Sequence, residues 1–130
     1  MIVNNNLENA TILVVDDDNR IRLMLEMILS ARGASVIMAK DGAEGLEKFK
    51  ESKPNLVVMD VMMPVMDGHA CTKKIRAISD VPIIMLTAKG EEYDQIDGFE
   101  SGADDYVIKH LYLHDLDGKD KLFGYLAVAF

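Results

Sequence analysis

A chain of 130 residues, 49% hydrophobic and 28% charged, has the size of one domain built on one core. That apolar content excludes a disordered chain, and a single cysteine, Cys71, excludes a disulfide framework and fits a reducing compartment. A net charge of −8 disfavours direct contact with nucleic-acid phosphates, and no apolar run approaches the ~18 residues of a membrane span.

Residues 1–9 read as a flexible lead-in, with three asparagines and no basic n-region of a leader, so the expected compartment is the cytoplasm. Thr11 to Val15 is a short β-branched run that ends on acid. Apolar residues at 21, 24, 25, 28 and 29 have helical spacing, and Gly33 is a stop signal. Ala34 to Ala39 predicts a second strand. Asp41 caps a helix with Ala43, Leu46 and Phe49 as its apolar positions, and Pro54 closes that segment. Leu56 to Met59 is a third strand, and Asp67 with Gly68 opens a helix through Ile78. Pro82 to Leu86 is a fourth strand. Gly90 to Ser101 reads as a helix with Ile96 and Phe99 inward, Tyr106 to Ile108 as a fifth strand, and Leu122 to Ala129 as a last helix.

Continuously apolar strands are covered on both faces. Their alternation with helices specifies an α/β domain with a doubly wound, five-stranded parallel sheet. In such a sheet, ligands bind beyond the carboxyl ends of the strands. The residues there are Asp16, Asp17 and Asp18 after the first strand, Asp60 after the third, Thr87 after the fourth and Lys109 after the fifth. Two carboxylates about 4 Å apart repel by roughly 4 kcal/mol at an effective dielectric of 20, so a cluster of three calls for a cation. Hard oxygen donors favour Mg²⁺ or Mn²⁺. Mg²⁺ takes few carboxylates and shares phosphate oxygens, which points to phosphoryl chemistry, with lysine and hydroxyl as further stabilising groups. A flavin or nucleotide fold fits poorly, because its phosphate-cradling turn is rich in glycine or hydroxyls and this turn is DDDN.

Four motifs in order resemble the receiver domain of bacterial two-component response regulators. They are ILVVDDDNRIR (Ile12 to Arg22), VVMDVMMPVMDG (Val57 to Gly68), PIIMLTA (Pro82 to Ala88) and GADDYVIK (Gly102 to Lys109). Each is weak alone; the ordered set is specific. The resemblance covers about residues 10–109 and implies a flavodoxin-like receiver fold. It implies that Asp60 accepts a phosphoryl group from a histidine kinase or phosphotransfer domain. Asp17 would ligate Mg²⁺ directly, with Asp16 assisting through water and Asp60 and the Met62 carbonyl completing the protein ligands. Lys109 would pair with the phosphoryl oxygens. Thr87 would donate its hydroxyl to them, and Tyr106 would swing inward with it, shifting a population between two states for an output domain or target protein. Slow self-dephosphorylation would be the most enzyme-like activity. Met62 and Lys89 would tune its lifetime.

Other polar residues have plainer readings. Asp18 and Asp67 suit helix caps, Asp104 and Asp105 a turn, and Cys71 a small helix residue. His69, His110 and His114 lack metal spacing and suit surface or loop positions. The segment 110–130 departs from the family, since receivers nearly always continue Pro-Phe after the lysine and this chain has His110 and Leu111. A cis bond is costly without proline, so a trans or rearranged loop is expected. The apolar end, LFGYLAVAF, is read either as a frame-shifted terminus or as a docking segment for a homodimer. Two rival functions stay open at this point. One is a partner-binding pseudo-receiver that is not productively phosphorylated. The other is a small-molecule phosphohydrolase of haloacid dehalogenase type, for which Asp16 and Asp18 have the spacing but the cap domain is missing.

Overall fold

A computed structural model describes residues 7–87 and 102–108, with backbone alone for Thr87 and residues 105–108. The elements are β1 (Thr11–Val15), α1 (Asn19–Ser30), β2 (Ser35–Ala39), α2 (Gly42–Ser52), β3 (Leu56–Asp60), α3 (Gly68–Arg76), β4 (Ile83–Thr87) and β5 (Asp105–Ile108). The strands form one parallel sheet in the order β2-β1-β3-β4-β5. This is the predicted five-stranded sheet.

Strand alternation sorts the core into two layers. Ile12, Val14, Leu56, Val58, Ile84 and Leu86 face one side and bury Ile21, Leu25 and Leu29 of α1. Leu13, Val15, Val57, Met59, Ile83 and Met85 face the other and bury Phe49 of α2 with Cys71 and Ile75 of α3. The sheet is therefore wound on both faces, and the inner strands are buried along their length. β2 is different. It lies at one edge of the sheet, with Ser35 exposed and Val36 to Met38 half-buried.

Each described helix starts on an aspartate whose carboxylate accepts a first-turn N–H: Asp18 from Arg20, Asp41 from Glu44, and Asp67 from Ala70. Glu44 also reaches back to the Lys40 N–H at 2.9 Å, a near relative of the capping box. Two boundaries and one face differ from expectation. α3 ends at Arg76, leaving Ile78 exposed beyond it. In α2, Ala43 is exposed and Gly45 takes the inward position with Gly42 and Phe49, while Leu46 is half-buried. A Cβ on Gly45 would stand 3.0 Å from both methyls of Val15, so glycine lets α2 lie close on β1. Of the predicted lead-in, residues 1–6 lie outside the described residues. Leu7 is buried in the α1-side core and its N–H donates to Arg32 O at 2.7 Å, so the packed chain takes in residues before Ala10.

The chain between α3 and β5 is tied by Arg76. Its guanidinium donates to the carbonyls of Gly102, Ser79 and Val81 and to Asp104 Oδ2. The same carboxylate oxygen accepts the Ile83 N–H that begins β4. The helices predicted at 90–101 and 122–129, Lys89, and everything expected after Ile108 lie outside the described residues. Among the described residues, no helix is long and apolar enough to cross a membrane.

Candidate functional site

The carboxyl ends of β1 and β3, neighbours in the sheet, bring three acids together. Asp60 is the last residue of β3 and is 3% exposed. Asp16 follows β1, is fully buried, and extends the ladder to β2 through Asp16 N to Ala39 O at 3.1 Å. Asp17 is exposed beside it. One carboxylate oxygen from each of Asp16, Asp17 and Asp60 lies within 4.8 Å of the others. Three like charges at that spacing repel strongly, two of them out of water, and a divalent cation with a preference for hard oxygen would relieve them. The donor set fits such an ion.

The loop from β1 to α1 is organised by its own polar groups. Asp16 Oδ1 accepts the Asp18 N–H at 2.8 Å. Asp18 accepts the Arg20 N–H and forms an ion pair with the Arg20 guanidinium at 3.1 Å. Hydrogen bonding from the Arg20 side chain, then its backbone N–H, holds the Asp18 carboxyl below the usual range. Asp18 therefore serves the helix cap and stands outside the acid cluster, as its plainer reading held. Arg22, one turn into α1, donates to the Asp16 carbonyl at 2.7 Å and to Asn19 Oδ1 at 3.1 Å. The sequence reading gave Arg22 no role. A side chain that bonds a backbone carbonyl leaves no periodicity to find.

The loop from β3 to α3 returns tightly over the strand. Val61 N donates to Leu86 O, and Gly68 N donates to Val61 O at 2.8 Å. A Cβ at Gly68 would fall 2.1 Å from the Asp60 carbonyl oxygen, so only glycine allows α3 to start directly above the acid. Met62, two residues past Asp60, exposes its side chain. Met66 N donates to Pro64 O at 2.7 Å around Val65, whose φ is +70°. This is the strained form of γ-turn, occupied here by a β-branched residue. Met66 O then accepts the Gly42 N–H, tying the loop to the start of α2.

The other predicted site residues are placed by the backbone. Thr87 ends β4, directly after Leu86, the register partner of Asp60. Tyr106 pairs with Met85 in β5, and Thr87 pairs with Ile108. Lys109 follows Ile108 and lies outside the described residues. His69, expected at the surface, is half-buried on α3, and its ring nitrogens have no hydrogen-bond partner among the described residues. Cys71 is buried with its thiol donating to Gly42 O at 3.3 Å. Burial, and then the nearby Asp41 and Asp67, push that thiol up to about 11, which makes it unreactive at neutral pH.

Comparison with known proteins agrees with this geometry. The response regulator receiver domain family matches residues 12–119. The "Probable transcriptional regulator ycf27" of Porphyridium aerugineum is 48% identical over 113 residues, 87% of this chain and 47% of that protein. The chain thus spans about half the length of the curated relatives it matches. Among solved structures, the Vibrio cholerae chemotaxis protein CheY4 aligns with a TM-score of 0.77 at 32% identity, covering 88% of this chain and 98% of the other. The Thermotoga maritima response regulator TrrA, solved in complex with Mg²⁺ and beryllium fluoride, aligns with a TM-score of 0.73 at 34% identity, covering 88% and 98%.

Proposed function

The chain belongs to the response regulator receiver domain family, the phosphoacceptor signal receivers of two-component systems, and we propose on that footing that Asp60 is its phosphoacceptor. The observation that supports this most is the position of Asp60. It is a nearly buried carboxylate at a strand end, within reach of two other acids that would hold a cation beside it.

Asp60 is the nucleophile. A carboxylate oxygen attacks the phosphorus of a phosphohistidine, the P–N bond breaks with its electron pair returning to the imidazole, and an aspartyl phosphate forms. The scaffold supplies orientation, since β3 and the Gly68 turn fix the acid's backbone on both sides. Asp17, Asp60 and the Met62 carbonyl would hold Mg²⁺, with Asp16 assisting through water; Mn²⁺ suits the same oxygen donors. When bound, the ion neutralises charge on the phosphoryl oxygens. Lys109 pairs with those oxygens as a point charge. Thr87 accepts the switch role by donating its hydroxyl to the phosphoryl group, and Tyr106 moves with it. Water attack on the aspartyl phosphate restores the carboxylate and releases phosphate, a slow self-dephosphorylation.

The donor is a histidine kinase or a phosphotransfer domain in the cytoplasm, and the readout is an output domain or a target protein. Relatives named as transcriptional regulators, of about twice this length, support transcription as the output. Residues 10–109 form the receiver core in this reading, and residues 110–130 complete or extend it. The acid cluster favours the acceptor over the partner-binding pseudo-receiver.

The test is the intact mass of the chain after incubation with Mg²⁺ and acetyl phosphate, beside the Asp60→Asn variant. One Mg²⁺-dependent phosphoryl adduct, lost in the variant, is expected. An adduct that persists in Asp60→Asn would refute the assignment. Beryllium fluoride binding in the same run distinguishes fast hydrolysis from failure to react.

A further inference from the structure

We propose that Arg22 is the positioning residue of the acid cluster, holding the Asp16–Asp17 backbone in the geometry that receives the cation. The inference rests on the Mg²⁺ reading above and assigns the ion's affinity to a residue that does not touch it.

Among the described residues, three hydrogen bonds anchor Asp16. Its N–H continues the sheet to Ala39, its Oδ1 accepts the Asp18 N–H, and its carbonyl accepts Nη1 of Arg22 at 2.7 Å. The first two fix the near side of the residue and the turn that follows. The third fixes the peptide plane between Asp16 and Asp17. That plane sets where the Asp17 side chain starts. Asp17 is the exposed member of the cluster, and the sheet ladder ends before it. Its carboxylate is repelled by two buried acids within 4.8 Å, so it tends to swing into water unless its backbone is held. Arg22 is well built to hold it. It sits one turn into α1, whose inner face is packed through Ile21 and Leu25, and its second nitrogen is braced on Asn19 Oδ1.

The proposal makes a prediction of sign. A guanidinium beside a cation site opposes the cation by charge, so charge alone predicts tighter Mg²⁺ binding when Arg22 is neutralised. Positioning predicts weaker binding. Arg20 supplies the control, because it carries the same charge two residues away but bonds only Asp18.

The experiment is calorimetric titration of the full chain with MgCl₂ for the parent, Arg22→Met, Arg22→Lys and Arg20→Met, each also melted without metal. Arg22→Met is expected to bind Mg²⁺ at least about tenfold more weakly, the low end of what losing a group that orients a metal ligand costs. Arg22→Lys should recover part of that loss, since it keeps a donor for the Asp16 carbonyl. Arg20→Met should bind as the parent does or slightly tighter. Arg22→Met binding as tightly as the parent, or Arg20→Met weakening equally, overturns the proposal. Should Arg22→Met fail to fold, Asn19→Ala removes only the brace and is expected to weaken binding in the same direction; no change refutes the role. Amide exchange at Asp18, read without metal, keeps this test separate from the Mg²⁺ reading. Faster exchange in Arg22→Met upholds the positioning role even for a parent that binds no Mg²⁺, and unchanged exchange overturns it.

Discussion

Arg76 Nη2 lies 3.0 Å from Asp104 Oδ2, and that same oxygen accepts the Ile83 N–H at 2.8 Å. One carboxylate thus joins the end of α3, the start of β4 and the approach to β5. Arg76 also satisfies the carbonyls of Gly102, Ser79 and Val81. Removing the guanidinium leaves several partly buried acceptors unpaired. Arg76→Met is expected to cost about 2–3 kcal/mol, because acceptors stranded without their donor incur the full desolvation penalty. Asp104→Asn keeps an acceptor for Ile83 and loses only a half-exposed ion pair, so it should cost less than about 1 kcal/mol. Urea unfolding of both variants, read at constant m, measures the difference. Equal costs would show that the ion pair, and not the carbonyl contacts, carries the junction.

Val65 is the residue where local strain is plainest. A β-branched side chain at φ +70° is held there by the Pro64 to Met66 γ-turn and by Met66 O on Gly42 N. Its side chain is 83% exposed, so truncation sacrifices little packing. Strain of this kind costs about 1–3 kcal/mol, and glycine gives back about 0.5–1 kcal/mol in backbone entropy. Val65→Gly should therefore stabilise the chain by up to about 2.5 kcal/mol, seen as a higher melting temperature. A lower melting temperature would mean that the turn is relaxed with valine in it.

The Cys71 thiol has a ligand-free pH signature. Its value rises from 9.0 to about 11 on folding, through burial first. The unfolded chain therefore releases this proton first. Between those two values the unfolded state binds fewer protons than the native state, so stability is full below 9.0 and falls as pH rises toward about 11. Lysines and tyrosines titrate in the same window, so the difference between parent and Cys71→Ala is the quantity to measure. Parent stability should fall more steeply than that of the variant. Parallel profiles would place the thiol in contact with water.

Much of this was legible from the residues because parallel strands are simple objects. Their buried runs are continuous, so Leu13, Val58 and Ile84 mark strands without any partner being known. Their carboxyl ends share one edge, so Asp16 and Asp60 could be placed together although they lie far apart in the chain. The inward face of α2 was read with Ala43 in place of Gly45, because hydrophobic patterning ranks alanine above a glycine whose use is close approach to Val15. Arg22 and Arg76 escaped for a different reason. Both act on backbone carbonyls, and a carbonyl carries no residue identity for a sequence to display. The lack of metal-ligand spacing points His69 to a surface or loop position, but such spacing says nothing of which face of α3 a lone histidine occupies, and its ring nitrogens are buried.

The acid cluster predicts an inversion that separates a cation site from a merely acidic surface. Without metal, Asp17 repels Asp16 and Asp60 across distances within 4.8 Å. Asp17→Asn removes one charge from that set, and since Asp17 is exposed and screened, the gain should be modest, up to about 1 kcal/mol at low salt. With Mg²⁺ in excess the balance changes. A ligand bound only by the native state adds stability that grows with its concentration, by about 2.7 kcal/mol at a hundred times Kd. On the proposed ligand set the parent gains that stabilisation, whereas Asp17→Asn, with one anionic oxygen donor fewer, gains little. The variant should therefore melt above the parent in chelator and below it in Mg²⁺. The measurement is a pair of melting curves at several Mg²⁺ concentrations. Curves that never cross would show that Asp17 does not ligate the ion, and would leave Asp60 and the Met62 carbonyl to hold it with water.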